Sequence, residues 1–467
     1  MADRSIVGTL TRARVLEMLD RAQPNHPMLA AKMARIESPV DSMAASGRHA
    51  PFQGSRATAE SGAAWTVDTV ADALLAVGDS VAASGLGEEH FVTVQNLEPS
   101  VAQSALTELA IEKGWAKQGP DGVVEWVKFG QLDAAWIEAL LERIKAFFGG
   151  RASRPALPAG ADPLPNRCKV LLVGDWGTGL YGAPAFKKWA VENGPFDVVI
   201  HLGDTYYAGT KKEVRDRLQG LWPLPSSSQT STISRFLNGN HEMYAGGKPY
   251  FKFLKAFQQM RPQTSSFFAL QNDHWLILGL DTSWHGFKVE PMMHSGHLAA
   301  NQRQWLIDMV KGAQGRRVIL LSHHQPFHFT KSENSELTTG LQPVWDTGNV
   351  DFWFWGHQHA GVRYDQSPFG FRGRCVGHGG IPELRPTEVR TSGVSRPTGH
   401  ADYAWKGITT PVASHDVQAW IIDGPNPLVS QDPDFSPHGW AVLELDAESA
   451  TERWYVASDD SFEVTLP

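Results

Sequence analysis

Four short apolar runs in this chain each end in small residues that are followed at once by metal-binding side chains. A fifth segment, residues 233–238, ends in the same manner at Gly239 and Asn240. Short continuous apolar runs bounded by glycine are typical of strands buried on both faces of a sheet. Because ligands of open α/β sheets bind beyond the carboxyl ends of such strands, the pattern predicts one polynuclear metal site. The four runs are residues 169–173 before Gly174 and Asp175, 197–202 before Gly203 and Asp204, 317–321 before Ser322, His323 and His324, and 351–355 before Gly356 and His357.

The chain is long enough for more than one domain, with 467 residues of which 42% are hydrophobic. Residues 1–150 have mostly helical spacing and predict an accessory or regulatory domain. A turn signal at residues 120–122 within it is faintly similar to the hairpin of a winged helix. Four prolines in the stretch that follows predict a Pro-rich linker at residues 151–166. From residue 167 to residue 467 strands alternate with helices, which predicts βαβ units in a layered sheet.

Charge and hydropathy restrict the partners of the chain. The net charge is -8, and residues 1–150 contain 13 Lys and Arg against 19 Asp and Glu. Nucleic-acid binding is therefore disfavoured, and a protein partner of the N-terminal domain is the better expectation. No apolar stretch approaches the roughly 18 residues that would cross a bilayer, and no signal peptide is evident. With only Cys168 and Cys375 present, we expect a cytoplasmic protein without membrane partners.

The last part of the chain has a weaker pattern. Residues 383–437 are rich in Pro, Ser and Thr and weakly periodic, which favours a functional or disordered loop. Residues 440–445 and 453–457 predict a hairpin that closes the sheet.

The residues at the strand ends suit ions that activate water at phosphorus. Such cations prefer hard oxygen ligands together with imidazole, and two of them about 3.5–4 Å apart can share one carboxylate. Taken singly, a Gly-Asp pair is usually a turn and an Asn-His pair usually lies at the surface. Five such elements in one order, four of them directly after buried-strand runs, favour the metal site. The candidate ligands are Asp175, Asp204, Asn240, His324, His357 and His359.

The order of these elements resembles that of the calcineurin-like metallophosphoesterases. Gly-Asp, Gly-Asp, Gly-Asn-His-Glu, His-x-Pro and Gly-His-x-His follow one another between about residues 170 and 365. The resemblance implies an α/β fold, a four-layer αββα sandwich that forms the catalytic domain at residues 167–467. Most members of that superfamily begin with Asp-x-His, whereas Gly177 stands here in place of the histidine. The second element, residues 203–207, is similar to the Gly-Asp-x-x-Tyr of purple acid phosphatases, in which a tyrosinate binds a ferric ion.

Carried over residue by residue, the resemblance implies two ions that share Asp204. We expect iron together with a divalent ion (Fe, Mn or Zn), because a hard ferric ion stabilises phenolate. His324 has the family's spacing to Pro326, so it is the preferred ligand, with His323 behind it; the choice between the two histidines stays open. The implied ligand sets are Asp175, Asp204, Tyr207 and His359 for the first ion and Asp204, Asn240, His324 and His357 for the second.

The resemblance also implies a catalytic role for the residue beside Asn240. A leaving alkoxide needs a proton, and His241 is the candidate general acid, since imidazole titrates close to neutral pH. The nucleophile would be a metal-bound hydroxide, and the substrate a small phosphorylated molecule. Glu242 would orient His241 or form a structural ion pair. His378, which follows a short apolar run, would lie at the pocket rim or simply pack in a turn.

Two other functions remain open on the sequence alone, besides a nuclease, which the acidic charge disfavours although an active-site groove can be locally basic. The first is a cyclic-nucleotide or other phosphodiesterase that uses two divalent ions of the Mn type. The second is an inactive phosphatase-like scaffold or sensor whose residues 1–150 contact a partner. An absorption band that depends on Tyr207 would favour the acid-phosphatase hypothesis, and a colourless enzyme activated by Mn²⁺ would favour the diesterase.

Overall fold

The computed structural model describes Ala146 and residues 151–465, apart from 154–155, 159, 228, 287–294, 330–335, 384, 414 and 430–434. The expectation of a mostly helical domain with a winged-helix-like hairpin at residues 1–150 therefore lies outside the described residues, of which only Ala146 falls in that range. Among the described residues, no helix is long and apolar enough to cross a membrane.

The described strands form two sheets. They are β1 (Ala161–Pro163), β2 (Arg167–Val173), β3 (Val198–His201), β4 (Ile233–Phe236), β5 (Phe268–Gln271), β6 (Trp275–Leu280), β7 (Arg317–Ser322), β8 (Val350–Trp355), β9 (Gly361–Gln366), β10 (Arg372–Val376), β11 (Ser395–Pro397), β12 (Ala404–Val412), β13 (His415–Asp423), β14 (Gly439–Asp446), β15 (Ser449–Val456) and β16 (Phe462–Val464). The smaller sheet has the order β16-β15-β14-β2-β3-β4, and the larger one β1-β5-β6-β7-β8-β10-β9-β13-β12-β11. Strands β2, β3 and β4 are parallel, as are β6, β7 and β8. The carboxyl ends within each parallel group therefore lie along one edge.

Side chains of the central strands alternate between two buried environments. In β2, Val170 and Leu172 belong to a core cluster that also contains Ile319 and Leu321 of β7. This cluster therefore lies between the two sheets. Because neighbouring residues of a strand point to opposite faces, the intervening Leu171 packs on the other side of the smaller sheet.

Helices cover the outer face of each sheet. The cluster outside the smaller sheet includes Phe186 and Phe253, and the cluster outside the larger sheet includes Leu306 and Val344. The order helix, sheet, sheet, helix confirms the α/β sandwich predicted for this region. The described helices are α1 (Gly182–Asn193), α2 (Lys211–Glu213), which continues as a π-helix at Val214–Gln219, α3 (Asn240–Tyr244), α4 (Lys248–Ala256), α5 (Ala300–Lys311), α6 (Glu336–Thr339), α7 (Gln342–Trp345) and α8 (Thr387–Arg390).

Part of the expected linker at residues 151–166 pairs with the larger sheet. Strand β1 lies parallel to β5, and the N–H of Leu164 donates to the carbonyl of Gln271 at 2.7 Å. Asp162 of β1 also accepts from the buried Arg235. Proline is tolerated here because β1 lies at the edge of the sheet. The domain boundaries themselves stay a prediction.

The expectation of a loop at residues 383–437 is wrong for much of that segment. Strands β12 and β13 form an antiparallel hairpin within it and extend the larger sheet. Both faces of β12 are covered in part, because Trp405 is buried between the sheets and Thr410 is buried on the opposite face. Threonine favours strands as valine does, so a Thr-rich segment with weak apolar periodicity still forms a strand here. The closing hairpin at residues 440–457 is confirmed as β14 and β15.

Truncation of the core between the sheets should cost stability. Leu172 is fully buried, so we expect Leu172→Ala to lower the free energy of unfolding by about 2–5 kcal/mol through lost contacts and the cavity left behind. Val191→Ala is the control, because Val191 is 62% exposed on α1. Urea unfolding followed by tryptophan fluorescence measures both variants. An equal decrease in the free energy of unfolding for Leu172→Ala and Val191→Ala would contradict the assignment of Leu172 to a packed core.

Candidate metal centre

The loops after β2, β3, β4, β7 and β8 meet in one buried place where the two sheets come together. The N–H of Gly174 donates to the carbonyl of Val376 at 2.9 Å, which joins β2 of one sheet to β10 of the other. The N–H of Gly356 donates to the backbone carbonyl of His323 at 3.0 Å and connects the loops after β7 and β8. All five predicted elements are thus brought together, as expected for the carboxyl edge of parallel strands.

Asp175 and Asp204 face one side of this site together with a tyrosine and a histidine. The hydroxyl of Tyr206 lies within hydrogen-bonding distance of two carboxylate oxygens that can accept from it, 2.8 Å from Asp175 Oδ1 and 3.1 Å from Asp204 Oδ2. His359 Nε2 lies 3.0 Å from the same hydroxyl and 3.5 Å from Asp175 Oδ1. Burial and the two carboxylates raise the pKa of Tyr206 well above its ordinary value. Two carboxylates, a phenol and an imidazole therefore converge in what we call the first subsite.

The tyrosine at this position differs from the one predicted. The sequence pattern indicated Tyr207, but the hydroxyl that contacts both aspartates belongs to Tyr206. The main-chain N–H of Tyr207 instead donates to Glu213 Oε1, and its carbonyl oxygen lies 2.5 Å from His241 Nδ1. The guanidinium of Arg217 lies 5.3 Å from the centroid of the Tyr207 ring. The Gly-Asp-x-x-Tyr spacing selects Tyr207 by its position in the sequence. The backbone conformation of the turn after β3 determines which of the two adjacent rings points toward the aspartates.

On the other side of Asp204, histidines and an asparagine form what we call the second subsite. His323 Nε2 lies 3.0 Å from Asn240 Oδ1, 3.1 Å from His357 Nδ1 and 3.3 Å from Asp204 Oδ2. Potential ligand atoms of His323, His324 and His357 lie within 4.8 Å of one another, and so do those of Asp175, Asp204 and His323. These two groups share His323 and could each hold an ion.

The expectation that His323 lies behind His324 is not what the structure shows. His323 occupies the middle of the site and belongs to both groups of potential ligands, whereas His324 Nδ1 lies 2.9 Å from the hydroxyl of Thr282. Burial lowers the pKa of His323, but Asp204, Asp175 and Glu242 outweigh burial and raise it to about 9. Both histidines remain candidate ligands of the second subsite.

The backbone is strained at three of the candidate ligands. Asp175, Asp204 and His357 have φ angles of 56°, 76° and 64°. Residues other than glycine seldom adopt such left-handed angles, and they cluster at functional sites where the surrounding structure compensates the cost. These three positions therefore have backbone conformations that usually require glycine, although each carries a side chain that could bind a metal ion.

Glycine at the entry to α3 is required by close approach. A Cβ atom at Gly239 would lie 2.0 Å from Asp204 Oδ1 and 2.8 Å from His323 Cε1. Such contacts are far inside van der Waals distance, so no other residue fits without moving the shared carboxylate. The first residue of the Gly-Asn-His-Glu element thus has a steric role.

Glu242 holds the second aspartate in place. Its Oε2 accepts from the N–H of Gly239 at 2.7 Å and from the N–H of Asp204 at 3.1 Å. Burial raises the pKa of Glu242, but hydrogen bonds with His201, Thr205 and Gly239 prevail and lower it to about 2. His201 Nε2 lies 3.6 Å from Glu242 Oε1, while its Nδ1 accepts from the indole of Trp176 at 2.9 Å. Glu242 therefore orients Asp204 rather than His241.

His241 lies next to the shared aspartate. Its N–H donates to Asp204 Oδ1 at 3.0 Å, and its ring Nε2 is 3.6 Å from Asp204 Oδ2. Because the only possible role of Nδ1 toward the Tyr207 carbonyl is that of a donor, Nδ1 carries a proton and Nε2 faces the site. The ring packs on Tyr206, with centroids 4.3 Å apart.

His378 does not lie at a pocket rim. It is buried to 1% exposure and stacks on Trp454 with ring centroids 6.1 Å apart. Burial lowers its pKa to about 3, so the ring is neutral. The apolar run before His378 continues into the interior between the sheets, which explains why sequence reasoning placed it too near the surface.

Sequence reasoning missed three residues of the site. Tyr206 lies within the element at residues 203–207, and His201 lies two residues before that element, where a polar residue inside the apolar run at residues 197–202 was a signal for it. Glu383, whose Oε2 lies 3.3 Å from His359 Nδ1, is separated from the last motif by the two strands β9 and β10. No local pattern marks it.

The donor set fits metal ions. Buried carboxylates, an amide oxygen, imidazoles and a phenol are ligands of hard and borderline cations such as Fe, Mn and Zn. Burial raises the pKa of Asp175, but hydrogen bonding and charge from His359 and His323 outweigh it and keep the pKa low. Two ionised carboxylates in a buried site are stabilised by a nearby positive charge, which a cation provides.

Residues 168–361 match the family of calcineurin-like phosphoesterases. The matched segment contains all five strand ends of the candidate metal centre. No curated protein matches the chain.

Solved structures with a similar fold include three of different origin. The first is the GAP50 anchor in the inner membrane complex of Plasmodium, with 12% identity, a TM-score of 0.42 and coverage of 64% of this chain and 89% of that chain. The second is a dimetal phosphatase from Danio rerio, with 13% identity, a TM-score of 0.37 and coverage of 64% and 98%. The third is the sulfate thiohydrolase SoxB of Thermus thermophilus, with 11% identity, a TM-score of 0.29 and coverage of 57% of each chain.

A methyl group at Gly239 should weaken metal binding. We expect Gly239→Ala to displace Asp204 and to lower metal affinity by about tenfold or more, the range found for residues that orient ligands. Gly160→Ala is the control, since nothing lies within 4 Å of a Cβ atom there. Elemental analysis after dialysis against a chelator series measures the bound ions. A Gly239→Ala protein with wild-type affinity would contradict the steric role of Gly239.

Proposed function

We propose that this chain is a dinuclear metal-dependent phosphoesterase that hydrolyses phosphate esters of small molecules. The observation that carries the proposal is the convergence of five strand ends on Asp204, with a full set of donors on either side of it. When bound, two ions supply a water activated for attack on phosphorus and stabilise charge on the phosphoryl oxygens. The family match of residues 168–361 supports the same chemistry.

Asp204 lies between the two subsites, so the remaining candidate ligands form one group on each side of it. We infer that the first ion is held by the residues of the first subsite and the second ion by those of the second subsite. The contact of the Tyr206 hydroxyl with both aspartates supports Tyr206, in place of Tyr207, as the phenolate ligand. The proposed sets are Asp175, Asp204, Tyr206 and His359 for the first ion, and Asp204, Asn240, His357 and either His323 or His324 for the second.

His241 is the proposed general acid. Its Nδ1 is anchored on the Tyr207 carbonyl at 2.5 Å, and its Nε2 faces the carboxylate that would lie between the ions. A protonated Nε2 at this position can transfer its proton to the oxygen of the departing alcohol. Anchoring of Nδ1 keeps the ring from rotating away, which general acid catalysis requires.

Removal of His241 should slow turnover without emptying the site. We expect His241→Ala to reduce kcat by about 10²–10⁴-fold on an alkyl phosphate, because the leaving alkoxide loses its proton donor. The loss should be smaller with p-nitrophenyl phosphate, whose leaving group needs no proton. Steady-state kinetics and metal analysis measure both effects, and His415→Ala, an exposed histidine in the β12–β13 hairpin, is the control. Unchanged kcat in metal-replete His241→Ala protein would refute the assignment.

The two tyrosines can be distinguished by colour. If ferric tyrosinate forms at the first subsite, iron-loaded protein has a visible charge-transfer band that Tyr206→Phe abolishes and Tyr207→Phe retains. The opposite result would support Tyr207 and contradict the role proposed for Tyr206. A colourless enzyme that Mn²⁺ activates on bis(p-nitrophenyl) phosphate would instead favour a divalent-metal phosphodiesterase. Absorption spectra of the wild type and both variants decide among these outcomes.

A further inference from the structure

His359 is bound on both sides of its ring. Its Nε2 faces the first subsite, 3.0 Å from the Tyr206 hydroxyl and 3.5 Å from Asp175 Oδ1. Its Nδ1 lies 3.3 Å from Glu383 Oε2 on the side away from the aspartates. The side chain of His359 is 3% exposed and that of Glu383 is 15% exposed, so the pair is shielded from water.

This arrangement fixes which nitrogen of a metal-bound His359 would keep its proton. A carboxylate only accepts hydrogen bonds, so the nitrogen that faces Glu383 must carry the proton. Nε2 faces the Asp175 carboxylate on the side of the candidate metal site, so Nε2 is the nitrogen that would give up its proton to bind an ion, while Nδ1 would stay protonated toward Glu383. A histidine that binds a metal through one nitrogen commonly donates its other N–H to a carboxylate, which fixes the ring and increases its basicity as a ligand.

Glu383 is itself held by the last part of the domain. Its carbonyl accepts from the N–H of Ser436 at 2.8 Å. Two residues later, Arg385 forms a two-pronged ion pair with Asp423, with contacts of 2.7 and 2.8 Å. Asp423 ends β13, and Ser436 precedes β14. These contacts lie outside residues 168–361, the segment that matches the phosphoesterase family.

We propose that Glu383 is a positioning residue for metal binding: it accepts the Nδ1 proton of His359 and so presents Nε2 to the first ion. The inference rests on the metal site of the proposed function. It assigns to the segment between β10 and β14 a contribution to the metal centre that the family motifs do not contain. Glu383 touches His359 and acts through it, so its effect should be seen first in metal retention.

Zinc affinity of the full chain tests the proposal. We expect Glu383→Ala to weaken Zn²⁺ binding at one of two sites by about 10–100-fold, the usual effect of losing a carboxylate behind a ligating histidine. Glu383→Gln should recover part of this loss, because its amide oxygen still accepts from Nδ1. Asp423→Asn is the structural control, because it weakens the ion pair with Arg385 that anchors this segment but retains the Glu383 carboxylate, so its loss of zinc affinity should be smaller. Competition with a chromogenic chelator measures all four proteins.

A spectroscopic measurement separates positioning from general loosening. In Zn²⁺-loaded protein with ¹⁵N-labelled histidine, the wild-type His359 signal should show an Nδ1 proton that exchanges slowly with water, and Glu383→Ala should make that exchange faster. Equal zinc affinity in wild type and Glu383→Ala, or an equal loss in Asp423→Asn and Glu383→Ala, would overturn the positioning role. If the wild-type protein binds no Zn²⁺ at all, the proposed function fails as well. Zinc binding without phosphatase activity would refute only the proposed function.

Discussion

Main-chain N–H groups that close on two buried carboxylates organise this site. Asp175 Oδ2 accepts from the N–H of His357 at 2.7 Å, and Asp204 Oδ1 accepts from the N–H of His241 at 3.0 Å. Each bond joins the end of one strand to a motif from a different part of the chain. Because a buried carboxylate without such partners is strongly unfavourable, the strand ends and loops must come together in this arrangement. The positions of the imidazoles follow from these two anchors.

The same carboxylates set the electrostatics of the site. Burial alone would lower the pKa of an imidazole, yet Asp204 and Asp175 raise that of His323 to about 9. Hydrogen bonds with Asp175 and Glu383 raise the pKa of His359 to about 10 in spite of burial. Both shifts reflect a negative potential in a place with little water. A potential of this sign favours a multivalent cation, in agreement with the hard oxygen donors that surround it.

Much of the sandwich and the location of the site could be predicted from sequence, because buried parallel strands have continuous apolar runs and their ends carry the ligands. Which of two adjacent residues of the same type faces the site could not be predicted. Tyr206 and Tyr207 have the same chemistry, and the left-handed φ of 76° at Asp204 precedes the turn that orients them. His323 and His324 present the same ambiguity at the end of β7. Glu383 could not be found because its contact with His359 depends on the packing of β13 and the segment before β14.

The central claim is that five strand ends build one site for two ions about a shared Asp204. Anomalous diffraction from metal-loaded crystals, recorded on both sides of the metal absorption edge, tests it most directly. We expect two peaks about 3.5–4 Å apart, the separation typical of two-metal hydrolases, with an oxygen of Asp204 between them. A single peak, or two peaks too far apart to share that carboxylate, would contradict it.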